Sequence, residues 1–73
     1  MTIKQAHANT TEIINRITRT TTFEQASVIR DHAHLMIDGY FYDDYITADE
    51  WHNYYRTIEE EYKIKCRQLE SEV

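Results

Sequence analysis

Apolar residues recur along this chain at intervals of three and four, the signature of a stripe on a helix rather than the alternation of a strand. Ile3, Ala6, Thr10, Ile13, Ile14 and Ile17 form the first stripe and predict a helix over about 3–19. Its weak point is Asn9-Thr10-Thr11, whose short polar and β-branched side chains disfavour a helix interior, so a start at Thr10 or Thr11 competes with one at Thr2. Thr20-Thr21-Thr22 reads as a linker, and Thr22-Phe23-Glu24-Gln25 fits a capping box that opens a second helix over about 23–37. Phe23, Ala26, Ile29, Ala33 and Met36 make its stripe, with Val28, Leu35 and Ile37 widening it. Asp38-Gly39 is its expected end, because glycine readily takes the left-handed conformation that follows a helix.

The connection over 38–46 is the least ordinary part of the chain. Tyr40, Phe41, Tyr42 and Tyr45 crowd around the adjacent acids Asp43 and Asp44, in what reads as a loop or a short strand. Thr47-Ala48-Asp49-Glu50 is then a second capping box, reinforced by Asp49 and Glu50 at the positive end of the helix dipole. It opens a third helix over about 48–70. Trp51, Tyr55, Ile58, Tyr62, Cys66, Leu69 and Val73 alternate spacings of four and three along it, and Glu59 with Lys63 and Glu61 with Lys65 are favourable i,i+4 pairs. Such a seam suits pairing with another helix, so Ile58, Tyr62, Cys66 and Leu69 are the candidate self-association residues. The pattern predicts an all-α fold in one domain over 1–73: a three-helix bundle, or a helical hairpin with a long C-terminal helix, in a homodimer.

Length sharpens that expectation. At 73 residues the chain lies where a single core rarely supplies more than ~3–5 kcal/mol, so a metal, a second copy or a partner protein is the natural supplement. The lone Cys66 closes no internal disulfide, no apolar run approaches the ~18 residues of a membrane span, and no apolar leader opens the chain; a reduced, cytoplasmic protein is expected. With no proline and one glycine, the composition is that of neither a disordered tail nor a turn-rich β-sandwich. Charge is unevenly spread. Residues 1–37 carry four bases and three acids and residues 38–73 four bases and ten acids, which places the net −5 in the C-terminal half.

Catalytic chemistry finds little to stand on. His32 and His34, two apart, point about 200° away from each other on a helix and cannot share a metal, and no HExxH motif is present. His34 with Asp38 and His52 is the one conceivable metal set, set against a plain His34–Asp38 pairing near a helix end. The twelve residues 39–50 end like a calcium loop but begin with Gly39 and Phe41 where carboxylates are needed. Cys66 sits between Lys65 and Arg67 with no histidine nearby, and a single glycine excludes phosphate-cradling loops. We therefore expect no enzyme activity, no cofactor and no metal.

Six tyrosines and a tryptophan exceed what so small a core buries comfortably, and tyrosine and tryptophan suit interfaces. Tyr40, Phe41, Tyr42, Tyr45, Trp51 and Tyr55 are the candidate anchors of a protein partner, with Asp43, Asp44, Asp49 and Glu50 setting partner choice by charge. The reading is an interaction or regulatory protein that binds stoichiometrically, of the kind carried by phages and other mobile elements. The first alternative is a DNA-binding regulator that uses Arg16, Arg19 and Arg30 on the first two helices, disfavoured by the net acidity. The second is an inhibitor that presents its carboxylates in place of nucleic-acid phosphates to a host protein.

Overall fold

The computed structural model describes residues 1–72 and is helical throughout its regular parts: α1 over Ile3–Thr18, α2 over Phe23–Tyr42 and α3 over Ala48–Ser71. Val73, the last position of the seam read along the third helix, lies outside the described residues. The connections over 19–22 and 43–47 are short, so α2 runs antiparallel to both neighbours and α1 lies parallel to α3. The bundle measures 42 × 20 × 15 Å.

Local chemistry fixes each helix end. Thr2 opens α1 through a full capping box, accepting from the Gln5 amide at 3.1 Å while its own amide donates to Gln5 Oε1 at 2.8 Å. The Asn9-Thr10-Thr11 cluster does not delay this start. Thr10 is fully buried and turns its hydroxyl back on the Ala6 carbonyl at 2.8 Å, which satisfies the polar group inside the helix. Ile3, counted in the first apolar stripe, is exposed instead, and burial begins at Ala6. At α2 the expected box forms only by half: Thr22 accepts from the Gln25 amide, but the Gln25 side chain accepts from the amide and hydroxyl of Thr21. Thr47 and Glu50 complete a full box at α3.

The second helix departs most from the sequence reading. It passes through Gly39 with an ordinary helical backbone and runs on to Tyr42, so that Tyr40, Phe41 and Tyr42 form its last turn instead of a loop or strand. Tyr40 still packs against the core at that point, and this packing outweighs glycine's preference for a helix end. The stop comes at Asp43, four residues after Gly39. Asp44 takes the left-handed conformation at φ 62°, its amide donates to Phe41 O at 3.2 Å, and the Tyr45 amide donates to Tyr40 O at 2.8 Å, the paired bonds of a Schellman turn. A side chain pays for that conformation whereas glycine does not, so Asp44→Gly is expected to stabilise the fold by ~0.5–1 kcal/mol. Thermal melting reads this as a rise of a few degrees; an unchanged or lower Tm would show that the Asp44 side chain itself contributes at the turn.

The core is assembled from all three helices. Ile13, Ile14 and Ile17 of α1, Ala33 and Ile37 of α2 and Ile58 of α3 pack together, and Ile46 from the second connection plugs one end. Ala6, Ala26 and Ala33 are fully buried, so the helices approach closely where side chains are smallest. Val28 and Leu35, read as widening the core stripe of α2, instead point outward and are exposed; Phe23 is partly exposed as well. Among the described residues no helix is long and apolar enough to cross a membrane.

Candidate functional site

The last turn of α2 and the first turns of α3 lie side by side, and their rings form a chain across that face. Tyr42 and Phe41 have centroids 6.3 Å apart, Phe41 and Trp51 6.3 Å, Trp51 and Tyr55 5.3 Å, and Tyr55 lies 4.5 Å from the His34 ring. A polar contact holds the chain in register: Trp51 Nε1 donates to Asp38 Oδ1 at 2.8 Å, which satisfies an indole that is only partly buried. Around it opens a shallow cleft of about 280 Å³ lined by Asp38, Phe41, Tyr42, Ala48, Trp51 and His52. Tyr42 is 84% exposed, and Phe41 and Tyr55 are each more than 40% exposed, although burial would favour these rings strongly.

The remaining anchors expected from sequence lie elsewhere. Tyr40 turns toward α1, where its hydroxyl accepts from Asn9 Nδ2 at 3.1 Å and its ring meets Tyr45 edge-on at 6.1 Å. Asp43, Asp44 and Asp49 are exposed at the same end of the bundle. Glu50 is engaged within the chain: Oε1 accepts from the Thr47 amide at 2.8 Å and Oε2 meets His7 Nε2 at 3.1 Å, while His7 Nδ1 pairs with the Tyr54 hydroxyl. This Glu50–His7–Tyr54 relay ties α1 to α3 across their N-terminal turns. The Thr47 amide, with help from the Thr47 hydroxyl and His7, holds the Glu50 carboxyl below its usual value, while burial and the Glu50 charge hold the Tyr54 phenol above its own.

The Glu50 shift has a sign that can be checked. A carboxyl whose pKa is lowered by folding stabilises the fold above its unfolded value, here near 4.5, and that contribution disappears as pH falls through the lower, folded value. Glu12, held down by Arg19 and Arg16, behaves in the same way. Thermal stability should therefore fall as pH drops below about 4.5, and Glu12→Gln with Glu50→Gln should flatten that fall. An equally steep fall in the double variant would place the acid sensitivity elsewhere.

The residues expected to mediate self-association are placed inside the chain. Ile58 and Leu69 are buried, and Tyr62 and Cys66 are half-buried, with Tyr62 under the Arg30 guanidinium at 4.4 Å. The Cys66 thiol beside it and burial push the Tyr62 phenol up. The three arginines of the DNA-binding alternative are likewise committed: Arg16 and Arg19 both reach Glu12, at 3.5 and 2.9 Å, and Arg30 reaches Asp31 at 3.1 Å. Arg16 and Arg19 line a cleft of about 620 Å³ between α1 and α2 with Val28 and Ile29, while Arg30 faces α3, so no single basic face unites them. Two hydroxyls of the adjoining connection bond within the chain, Thr20 donating to Ile17 O and Thr21 to Gln25 Oε1.

The conceivable metal set is not assembled. His34 Nε2 contacts Glu59 Oε1 at 2.7 Å rather than Asp38, Asp38 holds Trp51, and among the described residues no three His, Cys, Asp or Glu side chains converge as ligands. Residues 39–42 are helical, so the twelve-residue calcium loop does not exist as a loop.

Sequence reasoning missed the outward row of α2. Val28 and Leu35 lie about 200° around the helix from Ala26 and Ala33, and together with Tyr42 they recur every seven residues, a signal present in the sequence. In comparison with known proteins, no family model, no curated protein and no solved structure matches the chain.

Proposed function

We propose that this protein acts by stoichiometric binding to another protein, in the cytoplasm and without catalysis, and that the ring face formed by α2 and α3 is its contact surface. The observation that supports this reading is the continuous chain from Tyr42 through Phe41 and Trp51 to Tyr55, left partly exposed in so small a molecule and bordered by acids. Aromatic side chains of this kind carry much of the energy at protein interfaces, and flanking charge selects the partner. The single Cys66 is compatible with a reducing compartment. Ile58 and Leu69, two members of the expected self-association seam, are packed within the chain and are not offered to a second copy.

The test is a tagged chain incubated in extract of its native cells and analysed by native mass spectrometry. A complex of fixed stoichiometry that disappears in Phe41→Ser with Tyr42→Ser supports the reading. No complex, or one indifferent to that pair of substitutions, overturns it. Both side chains are exposed enough for the pair to be made without emptying the core, and circular dichroism verifies that the helices persist.

A further inference from the structure

Resting on that reading, we propose that the contact continues from Tyr42 along the outer side of α2, where its occupant is a cationic amphipathic helix of the partner protein with its backbone closest at Gly39. Val28, Leu35 and Tyr42 form an exposed row with a repeat of seven, 48%, 69% and 84% accessible. A seven-residue repeat drifts only about 20° per repeat around a straight helix, so the row stays in line over the length of α2 and supplies one of the two positions per heptad that a helix–helix seam uses.

Gly39 lies on this side, between Leu35 and Tyr42. It is helical, exposed, and has nothing within 4 Å of where a Cβ would stand. Neither its backbone conformation nor the chain's own packing requires glycine, and glycine loosens a helix interior. What glycine provides there is close approach of a second backbone.

Charge distinguishes between occupants. From Glu24 to Asp44 the chain carries five acids and one Lys or Arg. Asp31 is paired with Arg30, Asp38 holds the Trp51 indole, and Arg16 and Arg19 of α1 border Val28, so the acids open to a partner are Glu24 and, at the Tyr42 end, Asp43 and Asp44. A second copy fits this surface poorly. Antiparallel pairing about Leu35 sets Val28 opposite Tyr42 but brings Asp31 against Asp38 of the other copy on the same flank. Parallel pairing gathers Asp43 and Asp44 of both copies at one end. A helix with Lys or Arg beside its apolar seam meets the same acids as complements.

The probes are a synthetic helix with leucine at two positions of each heptad and lysine beside them, and the same peptide with glutamate in place of lysine. Binding is read by fluorescence anisotropy of the labelled peptide, with light scattering on the same protein samples. The lysine peptide should bind about tenfold or more tighter than the glutamate peptide, with salt weakening it, and Leu35→Ser and Gly39→Met should each lose about tenfold. Leu35 is exposed and nothing lies within 4 Å of a Cβ at Gly39, so both variants should melt as folded helical proteins. Equal affinity for the two peptides, no binding of the lysine peptide, or unchanged affinity in both variants overturns the proposal. A wild-type dimer that dissociates in Leu35→Ser also overturns it, by showing a second copy as the occupant. If the lysine peptide fails while the complex sensitive to Phe41→Ser with Tyr42→Ser persists, the cationic helix is wrong and the binding role stands; if that complex is absent too, both fall.

Discussion

Ile58→Ala is expected to remove ~2–5 kcal/mol of stability, which leaves a chain of this size largely unfolded at room temperature. Ile58 is fully buried where α3 meets Ile13, Ile14 and Ile17 of α1 and Ala33 and Ile37 of α2, and truncation opens a cavity that three helices cannot all close. Urea unfolding followed by circular dichroism measures the loss, and repeating it across a wide range of protein concentration gives the result its meaning. An unfolding midpoint of the parent protein that stays fixed on dilution places Ile58 in the core of one chain. A midpoint that climbs with concentration would return Ile58 and Leu69 to a seam between two chains.

Ala33→Leu should cost ~1–3 kcal/mol, for the opposite reason. Ala33 is fully buried, as are Ala6 and Ala26, and the close helix approach made by these methyl groups has no room for a larger side chain without a shift of the backbone. Two positions along, Leu35→Ala should change stability by no more than ~0.5 kcal/mol because Leu35 is exposed. Thermal melting of the two variants side by side reads out which face of α2 is inward. Comparable losses in both would mean that Leu35 is covered in the free protein, and would remove the surface assigned to a partner.

The helical class is legible in the sequence because three stripes at spacings of three and four leave no other periodicity, and because Thr22 and Thr47 are cap residues followed by well-placed Gln25 and Glu50. The end of α2 is less legible. Gly39 is a strong local stop signal, and what overrides it is packing of Tyr40 against residues distant in sequence, which no local rule contains. Val28 and Leu35 show a different limit: apolar character places a residue on a helix, and only its angle relative to Ala26 and Ala33 tells the core side from the outer one.

The polar contacts between helices are the least readable of all. His7 with Glu50, His34 with Glu59 and Asp38 with Trp51 join residues whose meeting depends on how each helix is rotated about its own axis. Periodicity fixes that rotation to within a face, which is too coarse to choose among neighbouring polar partners. Proximity on one helix thus points Asp38 to His34, whereas the indole of the next helix claims it.

The two short connections, over 19–22 and 43–47, also bear on how quickly the molecule forms. Helices joined this closely meet without a long chain search, and with no proline to isomerise, refolding should complete in a single phase on the microsecond-to-millisecond scale. Reclosing at that speed outruns a protease, so the lifetime of this chain among proteases follows the fraction of molecules open at any instant rather than the rate of opening. A ligand that binds only the closed bundle lowers that fraction in proportion to its own affinity and concentration.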